Sequence, residues 1–484
     1  MVYVKWHEMT RKVKPFPVIL IDCVALSFRD YFTEFHDGKT RIKNYRQAFG
    51  GRGIPEQDWK NYVKMYKENE EKIIPWMQSW MDHFIELREF CEKANKMNFN
   101  KKSNKELRDL IKKFFELQTK AVAFAYDYHP VGAVYAEQIM AFLKQRTSDA
   151  KELNKCMELI LSIPKPIEMN REKQNLLRIA VKAKKGLSRE IRKELEDHTK
   201  KFGFFGMYIF VGNPYPVSHY EKELKGLMKK SLSKLEKELI EEKNRFRKNQ
   251  KEIKGLTKKF NLPKKEVKKI ESVRFALYVS LFCDEYFTIV SLLIRPLLTE
   301  IAKRCSLSYN QLIEMTGNEI IEMLENGLNQ KKLNEINARI EGHVLLLEKG
   351  KVKVLVGKEL EEYSEPYMRE LKKMQAKTEI SGQTAFPGKV KGKVKLIKSI
   401  YDIPSFQKGF ILVAGTTMPQ FVPAMKKSLA IITDEGGLLS HAAIMSREFR
   451  IPCVIGTKIA TRVLKDNELI EVNATKGIVK RLRK

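Results

Sequence analysis

The sequence predicts a multidomain chain: a large, mainly α-helical N-terminal region, then a separate C-terminal domain that mixes strands with a short helix. Three observations carry that reading. Apolar residues recur at helical spacing from residue 56 to residue 340. A polar, glycine-containing stretch, AKTEISGQT at 376–384, then interrupts the pattern. Beyond it come short apolar runs separated by turn residues, the mark of strands. A length of 484 residues allows several domains with ample cores.

Residues 15–26 form an apolar run, followed by an aromatic and basic segment at 28–49 and a turn at Gly50, Gly51 and Gly53. That turn lacks the GxxxxGK[ST] pattern of a phosphate loop and reads as a loop before a helix beginning near Glu56. Ser103 with Glu106 makes a capping box, and Leu107, Leu110, Ile111, Phe114 and Leu117 then share one face. Residues 121–142 are nearly apolar all round, which predicts a buried helix pair bent at Pro130. Tyr126, Tyr128 and His129 stand at the bend, where they serve the core or line a pocket for an acceptor molecule. A second capping box, Ser218 with Glu221, is expected to open the longest helix. Its seam, Met228, Leu232, Leu235, Leu239, Phe246, Ile253 and Leu256, calls for an antiparallel hairpin with 267–302.

Residues 344–356 read as a small hairpin turned at Lys349 and Gly350, and 358–374 as a charged helix. The stretch 376–384 is the expected linker, reaching roughly 30 Å when stretched, enough to let the terminal domain swing. The boundaries expected are therefore a helical region at 1–375, the linker, and a terminal domain at 385–484.

The densest motif is TDEGGLLSHAAIMSREFRIP at 433–452. Residues 429–432 read as a short buried strand leading into a turn at Gly436 and Gly437, where backbone can crowd a ligand. Ser440 stands at a helix N-cap, and Ala442 through Glu448 favour helix up to the stop at Pro452. His441 thus falls in the first turn, where unpaired N–H groups and the helix dipole favour an anion. An imidazole titrating near ~6.5 is largely free base at neutral pH and can attack phosphorus unaided. Thr433, Ser440 and Arg447 are the candidate donors to a phosphoryl group on that ring, with Gly436, Gly437 and Ala442 lining its place. The plainer alternative is a capping turn with a half-buried histidine.

The run TDEGGLLSHAAIMSREFRIPCVIGT resembles the phosphohistidine signature of the PEP-utilising enzymes, among them phosphoenolpyruvate synthase, pyruvate phosphate dikinase, the first enzyme of the sugar phosphotransferase system and rifampicin phosphotransferase. The likeness runs from AFPGKVKGKVKLI at 385–397 through GTTMPQFVPAMKKSLAIIT at 415–433 to the closing strands. It implies a swivelling β/β/α phosphohistidine domain in which His441 is phosphorylated and carries the group between two distant sites. Leu439 departs from the commonest pattern, which has Thr there, and is closer to the antibiotic phosphotransferases. Asn467, Asn473 and Ala474 replace the usual Gly, Asp and Gly at positions that read as turns. Residues 297–324 and 337–363 resemble, more weakly, the helical segment that precedes this domain in family members. In rifampicin phosphotransferases a helical domain so placed holds the acceptor, which implies that role here.

Bulk properties narrow the field. Six cysteines without CxxC or metal-ligand spacing predict a reducing, cytoplasmic setting and no metal site. The start MVYVKWHEMTRK lacks a signal-peptide core, and the apolar segment 276–298 is broken by Asp284, Glu285 and Arg295, so no membrane span is expected. The net charge of +31 comes from lysines interleaved with glutamates, as on solvated helix faces, and nucleic-acid binding is not expected.

Neither an ATP-grasp domain nor a phosphoenolpyruvate-binding barrel is recognisable. The resemblance therefore implies a phosphotransferase component that depends on a separate ATP-grasp polypeptide, which would bring ATP and Mg²⁺ and phosphorylate His441. The acceptor is an unidentified small molecule. Two other readings remain: a non-catalytic regulatory or scaffold protein that kept the swivelling fold, and a basic helical RNA-binding protein.

Overall fold

The computed structural model describes residues 2–4, 68–124, 128–186, 190–348, 351–363, 365, 378–398, 400–417, 419–438 and 440–482. The 15–26 run, the Gly50 to Gly53 turn, most of the charged segment expected after residue 363, Leu439 and the Tyr126, Tyr128 and His129 side chains lie outside the described residues. By packing the chain divides into two units, one of Met1–Glu68, Gln78–Asp127 and Leu293–Lys484, the other of Asn69–Met77 and Tyr128–Leu292.

The second unit is helical, with a two-stranded ribbon of β2 (Met207–Tyr208) and β3 (Val211–Gly212) following β1 (Val2–Val4) in chain order. Its core gathers Leu176, Leu177, Phe202, Tyr220, Leu235 and Leu239 from four helices. The helix expected to run on from Ser218 is two helices. Val217–Leu227 ends after Gly226, and Leu232–Lys259 starts afresh because the Ser231 hydroxyl accepts the Lys234 N–H at 3.3 Å. The seam holds at Leu235, Leu239, Phe246 and Leu256, all buried. Its polar slot, Glu242, is buried too and is met by Lys173 Nζ at 2.6 Å. The side packed against Glu168–Lys184 is thus partly ionic.

Lys264–Arg304, 41 residues, is the longest helix among the described residues and continues through Pro296. By length and composition it could cross a membrane, yet 72% of its most apolar window is buried within the protein, as in a core helix. Glu285 on this helix takes the Glu168 and Met169 N–H groups at 2.8 and 2.9 Å, so an internal carboxylate satisfies the start of Glu168–Lys184.

In the first unit the Ser103–Glu106 capping box forms as the spacing predicts, with Glu106 N–H to Ser103 Oγ at 3.2 Å and Ser103 N–H to Glu106 Oε2 at 2.7 Å. Helix Asn104–Phe124 packs on Gly317–Asn326 so closely that a Cβ at Gly317 would meet the Phe115 ring at 2.9 Å. Arg339, 1% exposed, binds Glu319 through both terminal nitrogens at 2.7 and 2.8 Å and also holds Glu335 and the Glu314 carbonyl. The hairpin expected at 344–356 is β4 (Val344–Glu348) and β5 (Lys351–Leu355), with β1 added along β4.

The C-terminal domain is one eight-stranded mixed sheet in the order β6-β13-β12-β8-β9-β10-β11-β7. These are Glu379–Ser381 (β6), Gln383–Phe386 (β7), Lys389–Ile397 (β8), Phe410–Ala414 (β9), Ile431–Thr433 (β10), Cys453–Ile455 (β11), Leu469–Asn473 (β12) and Ile478–Arg481 (β13). The linker expected at 376–384 is corrected here. From Glu379 onward it belongs to the sheet, β6 pairing with β13 at one edge and β7 with β11 at the other. Its polar residues misled because edge strands expose one side to water; Glu379 and Ser381 are exposed while Ile380 is 1% exposed.

Strands β8 to β11 run parallel. Parallel neighbours require crossovers, and the chain supplies Val422–Met425 between β9 and β10 and His441–Phe449 between β10 and β11. Being covered on both faces, the central strands are apolar but for Thr433: FILVA and IIT are buried almost throughout. One face carries Ile411, Val413, Ile432, Val454 and Ala460; the helix His441–Phe449 packs on β10, β11 and β7.

Candidate functional site

The crossover from β10 to β11 places a helix start just beyond the carboxyl end of a parallel strand, where open α/β sheets bind ligands. Three devices shape this corner. Thr433 Oγ1 donates to the Glu435 carbonyl at 2.8 Å and tightens the first turn. Gly436 takes φ +111°, a conformation that L side chains avoid, and a Cβ there would meet Ser440 Oγ at 2.7 Å. Ser440 then caps the helix, its hydroxyl facing the Ala443 N–H at 3.4 Å.

His441 is the first residue of the helix and is 8% exposed. Its Nδ1 lies 2.9 Å from Thr417 Oγ1, a residue of the loop after β9. Among the described residues no hydrogen bond reaches Nε2, and that nitrogen is not one of the fully enclosed, unpartnered side-chain atoms. The ring is therefore held on one side, at Nδ1. Burial pushes its pKa down to about 3, so the imidazole is neutral at physiological pH.

Two carboxyl groups precede it, Asp434 buried and Glu435 half-buried. Asp434, 7% exposed, accepts from Thr457 Oγ1 at 2.9 Å, from Thr461 N–H at 3.2 Å and from the Thr461 hydroxyl, which staples β10 to the loop after β11. Burial raises its pKa against those bonds. Glu435 is raised to about 7, by burial first and by Asp434 next.

The predicted site residues separate into two groups. His441, Ser440, Gly436, Gly437 and Ala442 come together at the helix start, with both glycines exposed and Ala442 buried. Thr433 and Arg447 each engage a backbone carbonyl of the loop instead of pointing freely toward the ring. Thr433 is 0% exposed with its hydroxyl spent on the turn, and Arg447, 8% exposed, directs Nη2 to the Leu438 carbonyl at 2.7 Å. Both brace the loop, because the sheet and helix close over them. Thr417 and the Asp434 network were missed; Thr417 sits in the GTTMPQF run, yet only folding shows that its hydroxyl faces the ring. Asn467 is a turn residue as read, at φ +65°, whereas Asn473 ends β12 and its side chain accepts Lys476 N–H at 3.2 Å across the turn that begins at Ala474. Cys91, Cys156, Cys283, Cys305 and Cys453 are free thiols.

A mixed sheet with a histidine at the mouth of a crossover helix defines a mobile-domain class, and residues 406–477 match the family model described as PEP-utilising enzyme, mobile domain. Over this domain the chain is similar to the PEP-utilising enzymes. A "Probable phosphoenolpyruvate synthase" of Archaeoglobus fulgidus is 42% identical over 148 residues, 31% of this chain and 19% of that protein. A phosphoenolpyruvate synthase of Pyrococcus furiosus is 48% identical over 105 residues, 22% of this chain and 13% of its own length. The chain thus spans less than a fifth of either relative, 19% at most. A solved aconitase X from Thermococcus kodakaraensis aligns over 98% of its own chain and 22% of this one, at 20% identity and a TM-score of 0.18, a likeness too slight to carry an argument.

Proposed function

We propose that the C-terminal domain is a phosphoryl carrier with His441 as the carried-on residue. The observation that supports this most directly is the ring itself, neutral and held at Nδ1 by Thr417 at a helix start, with Nε2 left unbonded among the described residues. With the Nδ1 proton donated to Thr417, the lone pair falls on Nε2. In-line attack then forms an Nε2–P bond while the P–O bond to the leaving nucleotide breaks, its electron pair leaving with that oxygen. The helix dipole and the first-turn N–H groups stabilise the phosphoryl charge.

The donor in this reading is ATP with Mg²⁺, bound by a separate ATP-grasp polypeptide, and the acceptor is a small molecule held by the helical region or by another subunit. Among the described residues no group of three or more His, Cys, Asp or Glu is placed to hold a metal, and no step assigned to this chain runs through one. Localisation in the cytoplasm belongs to the same proposal. The test is incubation with γ-labelled ATP, with and without the neighbouring gene product, followed by a search for acid-labile label. Label that persists in His441→Ala removes His441 from the role.

A further inference from the structure

We propose that Gln420 is a positioning residue for the phosphoryl group carried by His441, a step that rests on the carrier reading above. Gln420 is 2% exposed, and among the described residues neither its amide nitrogen nor its amide oxygen has a hydrogen-bond partner. A buried primary amide with both ends unpaired is costly, and native proteins keep such groups where a ligand or a bound water completes them. The residue lies three positions after Thr417, which touches the His441 ring, so chain length alone keeps the two Cα atoms within about 10 Å. Gln420 sits in the tight 3₁₀ turn Pro419–Phe421. It leads directly into Val422–Met425, which packs on the helix that His441 begins.

The chemistry matches. A phosphoryl group offers only acceptor oxygens, and an amide NH₂ is a neutral donor that satisfies one of them without competing for the positive charge of the donor complex. When the Nε2–P bond forms and the P–O bond to the nucleoside diphosphate breaks, the Gln420 NH₂ gains the partner it lacks in the free protein. The unphosphorylated domain therefore carries a strained polar group whose cost is relieved on phosphorylation.

The test uses the full chain and phosphoramidate, which gives up its phosphoryl group to imidazole with loss of ammonia and needs no partner protein. Acid-labile label on His441 is followed by ³¹P NMR in the wild type, Gln420→Met and Gln420→Glu, with His441→Ala as baseline. Gln420→Met is expected to phosphorylate roughly tenfold more slowly, the loss of one hydrogen bond to a charged group, and to lose its phosphoryl group faster. Its thermal midpoint is expected to equal or exceed that of the wild type, because the unpaired amide is gone. Gln420→Glu is expected to be slower still through like-charge repulsion. Equal rates and lifetimes in wild type and Gln420→Met overturn the assignment, as does a lowered midpoint with unchanged labelling, which marks a structural amide. Absence of label at His441 in the wild type removes the carrier reading and this role with it, an outcome distinct from label that is indifferent to residue 420.

Discussion

Thr417 Oγ1 sits 2.9 Å from His441 Nδ1, across a corner that joins the loop after β9 to the helix after β10. A hydroxyl can donate or accept, but an imidazole that is to attack through Nε2 must keep its proton on Nδ1. Two-dimensional ¹H–¹⁵N correlation of ring nitrogens is expected to show His441 as the Nδ1–H tautomer at pH 7. Thr417→Val is expected to release the ring and to cost about 1 kcal/mol of stability. An Nε2–H tautomer in the wild type would contradict attack through Nε2.

The buried ring also sets a pH dependence. Its folded pKa lies near 3, below the ordinary 6.5, so the unfolded chain binds the extra proton first. Stability from keeping the ring neutral is complete above pH 6.5 and is lost as pH falls from there toward 3. Urea midpoints measured from pH 7.5 to pH 4 are expected to fall less in His441→Gln than in the wild type. Labelling of His441 is expected to show no inflection near pH 6.5.

Two adjacent glycines should behave differently. Gly436→Ala places a methyl group 2.7 Å from Ser440 Oγ at φ +111°, and a loss of about 1–3 kcal/mol with a displaced helix cap is expected. At Gly437 an added Cβ meets nothing within 4 Å, and Gly437→Ala is expected to stay within about 0.5 kcal/mol. Equal thermal shifts for the pair would show that the turn is not built as described.

Far from the histidine in sequence, Arg339 is the buried hub of the helices between Gly317 and Glu341. Burial alone would raise the Glu319 pKa, but the paired guanidinium outweighs it and holds the carboxyl at about 2. Arg339→Met is expected to cost about 3–5 kcal/mol by stranding Glu319. The stability that Glu319 contributes is present above pH 4.5 and lost as pH falls toward 2, so acid unfolding of the variant should begin from a flatter slope. Unchanged guanidinium midpoints in Arg339→Met would dispose of the hub.

Local codes in the sequence were legible wherever one short segment settles its own geometry. The Ser103–Glu106 box, the hairpin at 344–356 and the Ser440 cap with His441 behind it all depend on side chains within three or four positions of the groups they serve. Ser231 shows the limit of such codes: the box expected at Ser218 makes no cap, since that helix starts at Val217 behind Pro216, and Ser231 caps a second helix. The linker expected at 376–384 failed for a different reason, since a half-exposed edge strand and a polar linker have the same composition until their partners are known.

What the residues determined alone is the chemistry on offer: a helix-start histidine after a glycine turn, within a run that resembles the PEP-utilising enzymes, at the end of a largely helical chain. Tertiary structure decided which neighbours act on it. Thr417 was brought to the ring, Gln420 was buried with no hydrogen-bond partner among the described residues, and Thr433 and Arg447 were each tied to a carbonyl of the loop. These outcomes depend on parallel strands distant in sequence closing over one corner, where removal from water makes each hydroxyl and amide choose its single available partner.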